Sequence, residues 1–265
     1  MFPPVLLSQF PAFRKLQLPS RIVGPESVAF DKKGDGPYTG VADGKIVKYE
    51  GPKIGFTDFA ITSPNRTKIR CDGTNDLKSQ RICGNLLGLE FYRKTGDLYT
   101  VDAYYGLLVV GPTGGLATQL VTSFEGPVGL SLSKDSSYVL ITEYIAQRIR
   151  RFWLKGSKAN SFDGFRKVEG IPDNIRRTVL GDIWVAIANT KQNVTYSIRQ
   201  GINQLGKVVE MRNFTAQYND TPLGITLVKE YKGKLYVGSL DQNFIGVYRA
   251  YVGSLDRNFA GVYTV

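Results

Sequence analysis

The sequence predicts an all-β protein built from repeated strand hairpins, and three observations support this fold class. Residues 96–112 hold two runs of apolar and β-branched residues around a short polar and glycine break, which is typical of a tight β-hairpin. Similar hairpins recur at 36–49, 136–154 and 233–248. The 29 glycines and 12 prolines suit a chain rich in turns and fit long helices badly.

In chain order the hairpins group into five units, and in four of them a glycine precedes the innermost strand. The units span 24–49, 56–112, 127–154, 165–214 and 222–248. A period of about 40 to 50 residues with about four strands is typical of β-propeller blades. Crowding near a central axis favours small residues, so Gly24, Gly88, Gly129 and Gly224 favour blades over the alternative, a β-sandwich of similar hairpins.

The chain divides into three segments on composition and repetition. Residues 1–20 are an apolar lead-in interrupted by prolines, and residues 21–249 hold the five units. Residues 250–265 form a duplicated C-terminal hairpin, because 251–263 differs from 236–248 at only two positions. Separately selected blades diverge much further, so the copy indicates a recent duplication or a sequence-assembly artefact.

Charge and composition exclude several classes of function. The net charge is +11, but Lys and Arg are spread along the chain without a nucleic-acid-binding motif, so we expect no nucleic-acid partner. No stretch is long and apolar enough for a membrane span, and the N-terminus makes a poor signal peptide. The absence of histidine excludes Ser-His-Asp and Cys-His nucleophiles and His-ligated metals.

The two cysteines, Cys71 and Cys83, have two interpretations. They are either unrelated buried thiols or a disulfide across a polar, charged loop, worth about 3 kcal/mol on the chain-entropy model. Four Asn-x-Thr sequons favour the disulfide, since together they indicate a secretory-pathway history. The asparagines of these predicted glycosylation sites are Asn65, Asn193, Asn213 and Asn219.

Several motifs, together with the cysteine pair, resemble those of plant strictosidine synthase and its strictosidine synthase-like relatives. They are 24–27 (GPES), 36–44 (GPYTGVADG), 63–66 (SPNR), 95–99 (TGDLY), 102–107 (DAYYGL), 152–156 (FWLKG), 172–177 (PDNIRR) and 233–239 (GKLYVGS). The resemblance covers about residues 12–249. It implies a six-bladed β-propeller related to calcium-dependent lactonases and arylesterases.

The resemblance also accounts for the count of five units. A segment one blade long follows the Glu125-Gly126 pair in the family, whereas here Pro127 begins a later blade. Roughly 50 residues are therefore absent at this seam, the length of one blade. The fold expected is a β-propeller of a six-bladed family with one blade missing, or rebuilt by the duplicated tail.

The resemblance implies a first chemistry, the Pictet–Spengler condensation of tryptamine with the aldehyde secologanin in alkaloid biosynthesis, which needs no cofactor. One family glutamate acts as general base, and its position here is Thr226. Threonine has no base function near pH 7, which disfavours synthase activity. The resemblance assigns Tyr144 and Gly126 to the substrate pocket.

The second chemistry is ester or lactone hydrolysis with Ca²⁺, which binds six to eight oxygens. By resemblance to the hydrolase relatives, Glu26, Asp173 and Asn174 match ligand positions, whereas a further asparagine ligand position is Val128. Purely structural roles are the alternative: a satisfied carboxylate at a crowded turn for Glu26, and an Asx turn after a proline for the other two.

A third class is a binding or remnant protein without catalysis, which the lost base, the lost ligands and the missing blade would all fit. In every case we expect a small-molecule ligand and a monomer without a membrane partner. The sequons and cysteines, with the resemblance, place it in the vacuole or elsewhere in the secretory pathway, including outside the cell.

Overall fold

A computed structural model describes residues 14–177, 183–189, 196–202, 208–214, 227–232, 234–238 and 243–249. These residues form five β-sheets, and each sheet is one blade of a β-propeller. The all-β propeller predicted from the sequence is therefore confirmed. The number of blades in the described residues matches the five units counted in the sequence.

The strands are numbered in chain order and grouped here by blade. Blade 1 contains β2 (Val28–Ala29), β3 (Tyr38–Gly40), β4 (Lys45–Tyr49), β5 (Phe56–Ile61) and β9 (Gly115–Leu116). Blade 2 contains β6 (Leu86–Tyr92), β7 (Asp97–Asp102), β8 (Gly106–Val110) and β10 (Thr118–Val121). Blade 3 contains β11 (Pro127–Leu132), β12 (Tyr138–Glu143), β13 (Arg148–Trp153) and β14 (Phe162–Lys167).

The last two blades follow the same antiparallel order. Blade 4 contains β15 (Ile171–Arg177), β16 (Ile183–Asn189), β17 (Tyr196–Ile202) and β18 (Val208–Phe214). Blade 5 contains β19 (Leu227–Tyr231), β20 (Lys234–Gly238), β21 (Phe244–Arg249) and the N-terminal strand β1 (Arg14–Gln17). Because the N-terminal strand completes the C-terminal blade, the two ends of the described chain close the ring together.

Strand β1 lies inside the segment predicted as a lead-in. Its register runs from Arg14 opposite Val247 to Gln17 opposite Phe244. Leu16 is buried in a core cluster with residues of blades 1 and 5. A strand whose partner is more than 200 residues away has no local signal that distinguishes it from an apolar tail.

The β7–β8 hairpin shows why the repeated motif folds as predicted. The Asp102 carboxylate accepts hydrogen bonds from the backbone N–H groups of Tyr104 and Tyr105, at 2.8 and 3.1 Å, which fixes the turn. It also accepts from Asn85 N at 2.8 Å and from the Thr62 hydroxyl at 2.9 Å. Burial raises the pKa of this carboxyl, and the hydrogen bonds oppose that rise.

The first strands of the blades lie at the inner edges of the sheets, where glycine allows close approach. A Cβ on Gly88 of β6 would lie 2.7 Å from Val128 O and 2.9 Å from Leu130 N of β11. A Cβ on Gly129 of β11 would lie 2.8 Å from Asn174 Cα of β15. The prediction that small residues mark inner strands is confirmed at both positions, although each glycine lies within its strand.

The apolar core is divided among the gaps between blades. One cluster joins blades 1 and 2 around Leu89, another joins blades 2 and 3 around Leu130, and a third joins blades 3 and 4 around Ile175. Blades 5 and 1 meet at Phe30, whose ring stacks on Tyr231 with centroids 3.9 Å apart. The ring is therefore stabilised by blade-to-blade packing.

The segment between the cysteines contains helix, where the sequence predicted a loop. Helix α1 (Lys68–Cys71) is short, and α2 (Leu77–Cys83) begins after Asp76, whose carboxylate caps the N–H groups of Lys78 and Ser79. A short polar residue ahead of a free helix N-terminus is a capping signal that the loop interpretation missed. The disulfide between Cys71 and Cys83 is present. No helix in the described part of the chain is long and apolar enough to cross a membrane.

Candidate functional site

Three inner strands, β6, β11 and β15, each contain a shift in strand register near their first residues. In β15 the register shifts between Pro172 and Ile175, so that Asp173 and Asn174 stand against one residue of β16. Similar shifts occur near the starts of β6 and β11. A bulge adds a residue to one strand and re-aims side chains. In blade 4 the two residues of the bulge, Asp173 and Asn174, are an acid and an amide.

The structure brings together the three residues that the resemblance assigned to a cation. Glu26 precedes β2 in blade 1, and Asn174 Nδ2 lies 3.4 Å from its Oε1 atom. The same Nδ2 atom lies 3.4 Å from Asp173 Oδ1, and the Glu26 and Asp173 carboxyl groups are hydrogen-bonded to each other. These three side chains are called the axial cluster below.

Burial controls the protonation of the axial cluster. Glu26 is fully buried, and desolvation raises its pKa well above the ordinary value, with further increases from the charge of Asp173 and from the hydrogen bond between them. Desolvation also raises the pKa of Asp173, to about 6, although the hydrogen bond from Glu26 lowers it. The pair therefore shares a proton that Glu26 holds more tightly.

Arg176 supplies the positive charge nearest to the axial cluster. It is buried and donates to Ser27 Oγ at 2.6 Å, to Leu130 O at 3.3 Å and to Ile175 O at 2.9 Å. Its charge lowers the pKa of Glu26 and so partly opposes the effect of burial. These contacts fix the guanidinium against blades 1 and 3, so it cannot swing away from the acids.

Lys229 of β19 and Glu90 of β6 are charged inner-strand residues that the sequence analysis did not single out. Burial is the main cause that lowers the pKa of Lys229 to about 8, and repulsion from Arg176 is the second. The negative charge of Glu90 opposes this decrease. Glu90 also accepts a hydrogen bond from Leu132 N at 3.0 Å. A charge inside an otherwise apolar inner strand is the signal that could have identified both residues.

The predicted pocket residues Tyr144 and Gly126 are neighbours in the structure. Tyr144 N donates to Gly126 O at 2.8 Å, and the Tyr144 side chain is 50% exposed. Two residues earlier, the Thr142 hydroxyl accepts from Gly129 N and donates to Asp173 O, both at 2.8 Å. Thr142 therefore connects β12, which ends directly before Tyr144, to the backbone of the axial cluster.

Several predicted site residues lie outside the described structure. Thr226, at the position of the family base, is among them, as are Asn193 and Asn219. Asn213 lies in β18, but its side chain is not described. Asn65 is exposed, which leaves its side chain accessible. The glycosylation of these asparagines stays a prediction.

A family model and a known plant protein that match this chain carry the same family description. Residues 12–49 match the family model described as "Strictosidine synthase-like, N-terminal". Protein Strictosidine Synthase-Like 10 of Arabidopsis thaliana is 32% identical over 321 aligned positions, covering 85% of this chain and 85% of the relative. The aligned positions outnumber the 265 residues of this chain, so the relative contains segments without a counterpart here.

Solved structures support the fold alone, because their sequences are distant. A catalytically inactive virginiamycin B lyase from Staphylococcus aureus, with quinupristin, is similar with a TM-score of 0.56 and 10% identity, covering 91% of this chain and 99% of that one. A gluconolactonase from Xanthomonas campestris has a TM-score of 0.50 and 12% identity, covering 89% of each chain.

Proposed function

Because the chain belongs to the strictosidine synthase-like family, we propose that it acts on a small organic substrate and hydrolyses an ester or lactone with Ca²⁺ at the axial cluster. The observation that carries this proposal is the convergence of Glu26 with Asn174, 148 positions later in the chain, and with the adjacent Asp173. Side chains with oxygen donors from blades 1 and 4 are in contact, and the local sequence around each of them does not dictate this contact.

The axial cluster fits a hard divalent cation in its donor chemistry. Carboxylate and amide oxygens are the ligands that Ca²⁺ prefers, and water and backbone carbonyls commonly complete its shell of six to eight oxygens. The described residues hold no group of three or more Asp, Glu or Cys placed for a metal, so two acids and one amide are the protein's side-chain contribution. Asn174 can present its oxygen by rotation of the amide.

The cluster's own residues would hold the cation and manage one proton. Ca²⁺ supplies a Lewis acid that polarises a carbonyl oxygen. Glu26 holds the shared proton in the described state, so a cation that binds both carboxylates competes with that proton. Arg176 keeps a fixed positive charge beside the acids, which weakens cation binding. Affinity should therefore be modest and should rise with pH.

Pictet–Spengler condensation is the second candidate function, favoured by the contact between Tyr144 and Gly126 and by the family to which the chain belongs. Thr226 at the base position argues against it, since a hydroxyl cannot accept the amine proton near pH 7. Incubation with tryptamine and secologanin tests this function directly. Thr226→Glu should raise the rate if the pocket is otherwise intact.

The remaining properties that we propose follow from the sequence. The protein would be a glycosylated monomer of the vacuole or the secretory pathway, where the Cys71–Cys83 disulfide can persist. Size-exclusion chromatography and treatment with a glycosidase test the first two properties. A folded protein that shows neither activity would leave the third class, a binding protein without catalysis.

Calcium titration by calorimetry, with hydrolysis of phenyl acetate and δ-valerolactone before and after addition of EGTA, tests the main proposal. We expect one bound Ca²⁺, proton release on binding, and activity that EGTA abolishes and excess Ca²⁺ restores. Glu26→Gln should remove both binding and activity, because it replaces an anionic ligand with a neutral one.

Glu143→Gln is the matched control for this substitution. Glu143 is equally buried, but its carboxylate contacts Arg148 in blade 3 and accepts from Glu125 N at 2.8 Å. It should lose stability while keeping Ca²⁺ binding. Wild-type protein that is folded by circular dichroism but binds no Ca²⁺ at pH 8 would rule the proposal out.

A further inference from the structure

The gap between blades 3 and 4 widens into a groove that the axial cluster does not use. It has a volume of about 500 Å³. Its walls come from the end of β11 and the following turn, from β12, and from the facing residues of blade 4. The lining residues used in the argument are Ser131, Lys134, Tyr138, Leu140, Arg177 and Ile183.

The strongest observation in the groove is the Ser131 hydroxyl. Ser131 is only 1% exposed, and its Oγ atom makes no hydrogen bond within the described part of the chain. A buried hydroxyl without a partner costs stability, and such groups are rare in folded proteins. A polar ligand in the groove would supply the missing partner.

The turn after β11 is hydrogen-bonded by Ser133, so it does not need the hydroxyl of Ser131 to stay unpaired. Ser133, two residues later, donates to Asp135 Oδ1 at 2.8 Å and accepts from the backbone N–H groups of Ser137 and Tyr138. Ser133 and Asp135 thus carry the side-chain hydrogen bonds of this turn without Ser131. Ser131 lines the groove and keeps its hydroxyl unpartnered within the described part of the chain.

The groove wall carries both positive charge and apolar surface. Arg177 is positioned by donation from Nε to Leu132 O at 2.9 Å, which holds its guanidinium at the wall, and Lys134 adds a second cation at the rim. Asp135 is the acid of the lining, and its carboxylate is engaged by Ser133 and Ser137. Leu140 and Ile183 belong to the apolar cluster between the blades and also line the groove.

We propose that this groove binds a small carboxylate with a flat apolar body, with Ser131 and Arg177 holding the carboxylate and Leu140 and Ile183 contacting the body. The Ser131 hydroxyl donates to one carboxylate oxygen, and the guanidinium of Arg177 neutralises its charge. The groove shares no residue with the axial cluster. Binding at the groove can therefore be tested separately from the proposed hydrolysis.

Calorimetric titration with benzoate, and with benzamide as its neutral counterpart, tests the site. Wild type should bind benzoate in the millimolar range and bind benzamide at least tenfold more weakly. Arg177→Gln should weaken benzoate binding about tenfold, as expected for loss of a charged hydrogen-bonding group. Lys53→Gln removes the same charge from an exposed position outside the groove and should leave binding unchanged.

Ser131→Ala gives a readout that a merely structural serine would not. It should weaken benzoate binding about threefold to tenfold while leaving the melting temperature of the ligand-free protein unchanged or higher, because no internal hydrogen bond is lost. Ser133→Ala should lower that melting temperature. Equal binding of benzamide, no binding of benzoate to the folded wild type, or unchanged affinity in both Ser131→Ala and Arg177→Gln would overturn the proposal.

Discussion

Gly129→Ala should disrupt both the packing of blade 3 on blade 4 and the axial cluster. The added Cβ would lie 2.8 Å from Asn174 Cα, 2.8 Å from Ile175 N and 2.9 Å from Asp173 O. Ordinary van der Waals contacts of this kind are at about 3.5 to 4.0 Å. All three opposing atoms belong to the backbone of β15, so no side-chain rotation can relieve the clash.

The expected cost follows from this geometry. Overpacking a dense interior costs about 1–3 kcal/mol, and rigid backbone on the opposing side places Gly129→Ala at the upper end. For a chain of this size a loss of about 3 kcal/mol corresponds to a decrease of about 6–12 °C in melting temperature. Since β15 must move, the geometry of Asp173 and Asn174 would change with it.

Thermal and urea unfolding followed by circular dichroism measure this effect. Gly164→Ala is the matched control, because Gly164 lies in the outer strand β14 and an added Cβ there would meet no atom within 4 Å. The control should change stability by no more than about 0.5 kcal/mol. Equal stability of the two variants would refute the packing of β11 against β15.

Three further predictions test other parts of the molecule. Replacing Cys71 and Cys83 together by serine should lower stability by about 3 kcal/mol, measured by urea unfolding, and dithiothreitol should mimic the change only in the parent protein. Thr142→Val should cost about 1–3 kcal/mol in the same assay, because Gly129 N loses its acceptor, and Thr142→Ser should retain most of the stability. Between pH 3.8 and about 6 the stability should fall as pH rises, because folded Asp173 binds its proton more tightly than the unfolded chain does. Asp173→Asn should reduce this dependence, and the part that remains comes from Glu26, whose pKa burial also raises.

Local patterns in the sequence were sufficient to predict the blades. The β7–β8 hairpin has β-branched strands around an Asp102-led turn, and both signals act within a few residues. The unit predicted over residues 165–214 contains the antiparallel strand pair β17 and β18. Such features could be predicted because their cause, side-chain alternation and turn chemistry, is local.

Features that depend on distant partners could not be predicted in this way. The pairing of β1 with β21 is decided by ring closure, and the parallel pairing of β9 with β5 adds to blade 1 a strand that lies in the chain between β8 and β10 of blade 2. The positions of Glu26 and Asp173 were assigned from family resemblance, but the sequence did not indicate that their carboxyl groups share a proton. That property arises from burial at the axis, which only the assembled ring creates.

Blades 2 and 3, which lie before and after Gly126 in the chain, pack directly on each other. Across the seam, Gly88 packs on the backbone of β11, and Leu132 N donates to Glu90. Across the next gap, Gly129 packs in the same way on the backbone of β15. Apolar side chains around Leu130 pack in the same gap between blades 2 and 3. Because a Cβ on either glycine would meet the backbone of the next inner strand, the two glycines set how closely the inner strands approach one another. The position of Asn174, and with it the axial cluster, therefore depends on Gly129.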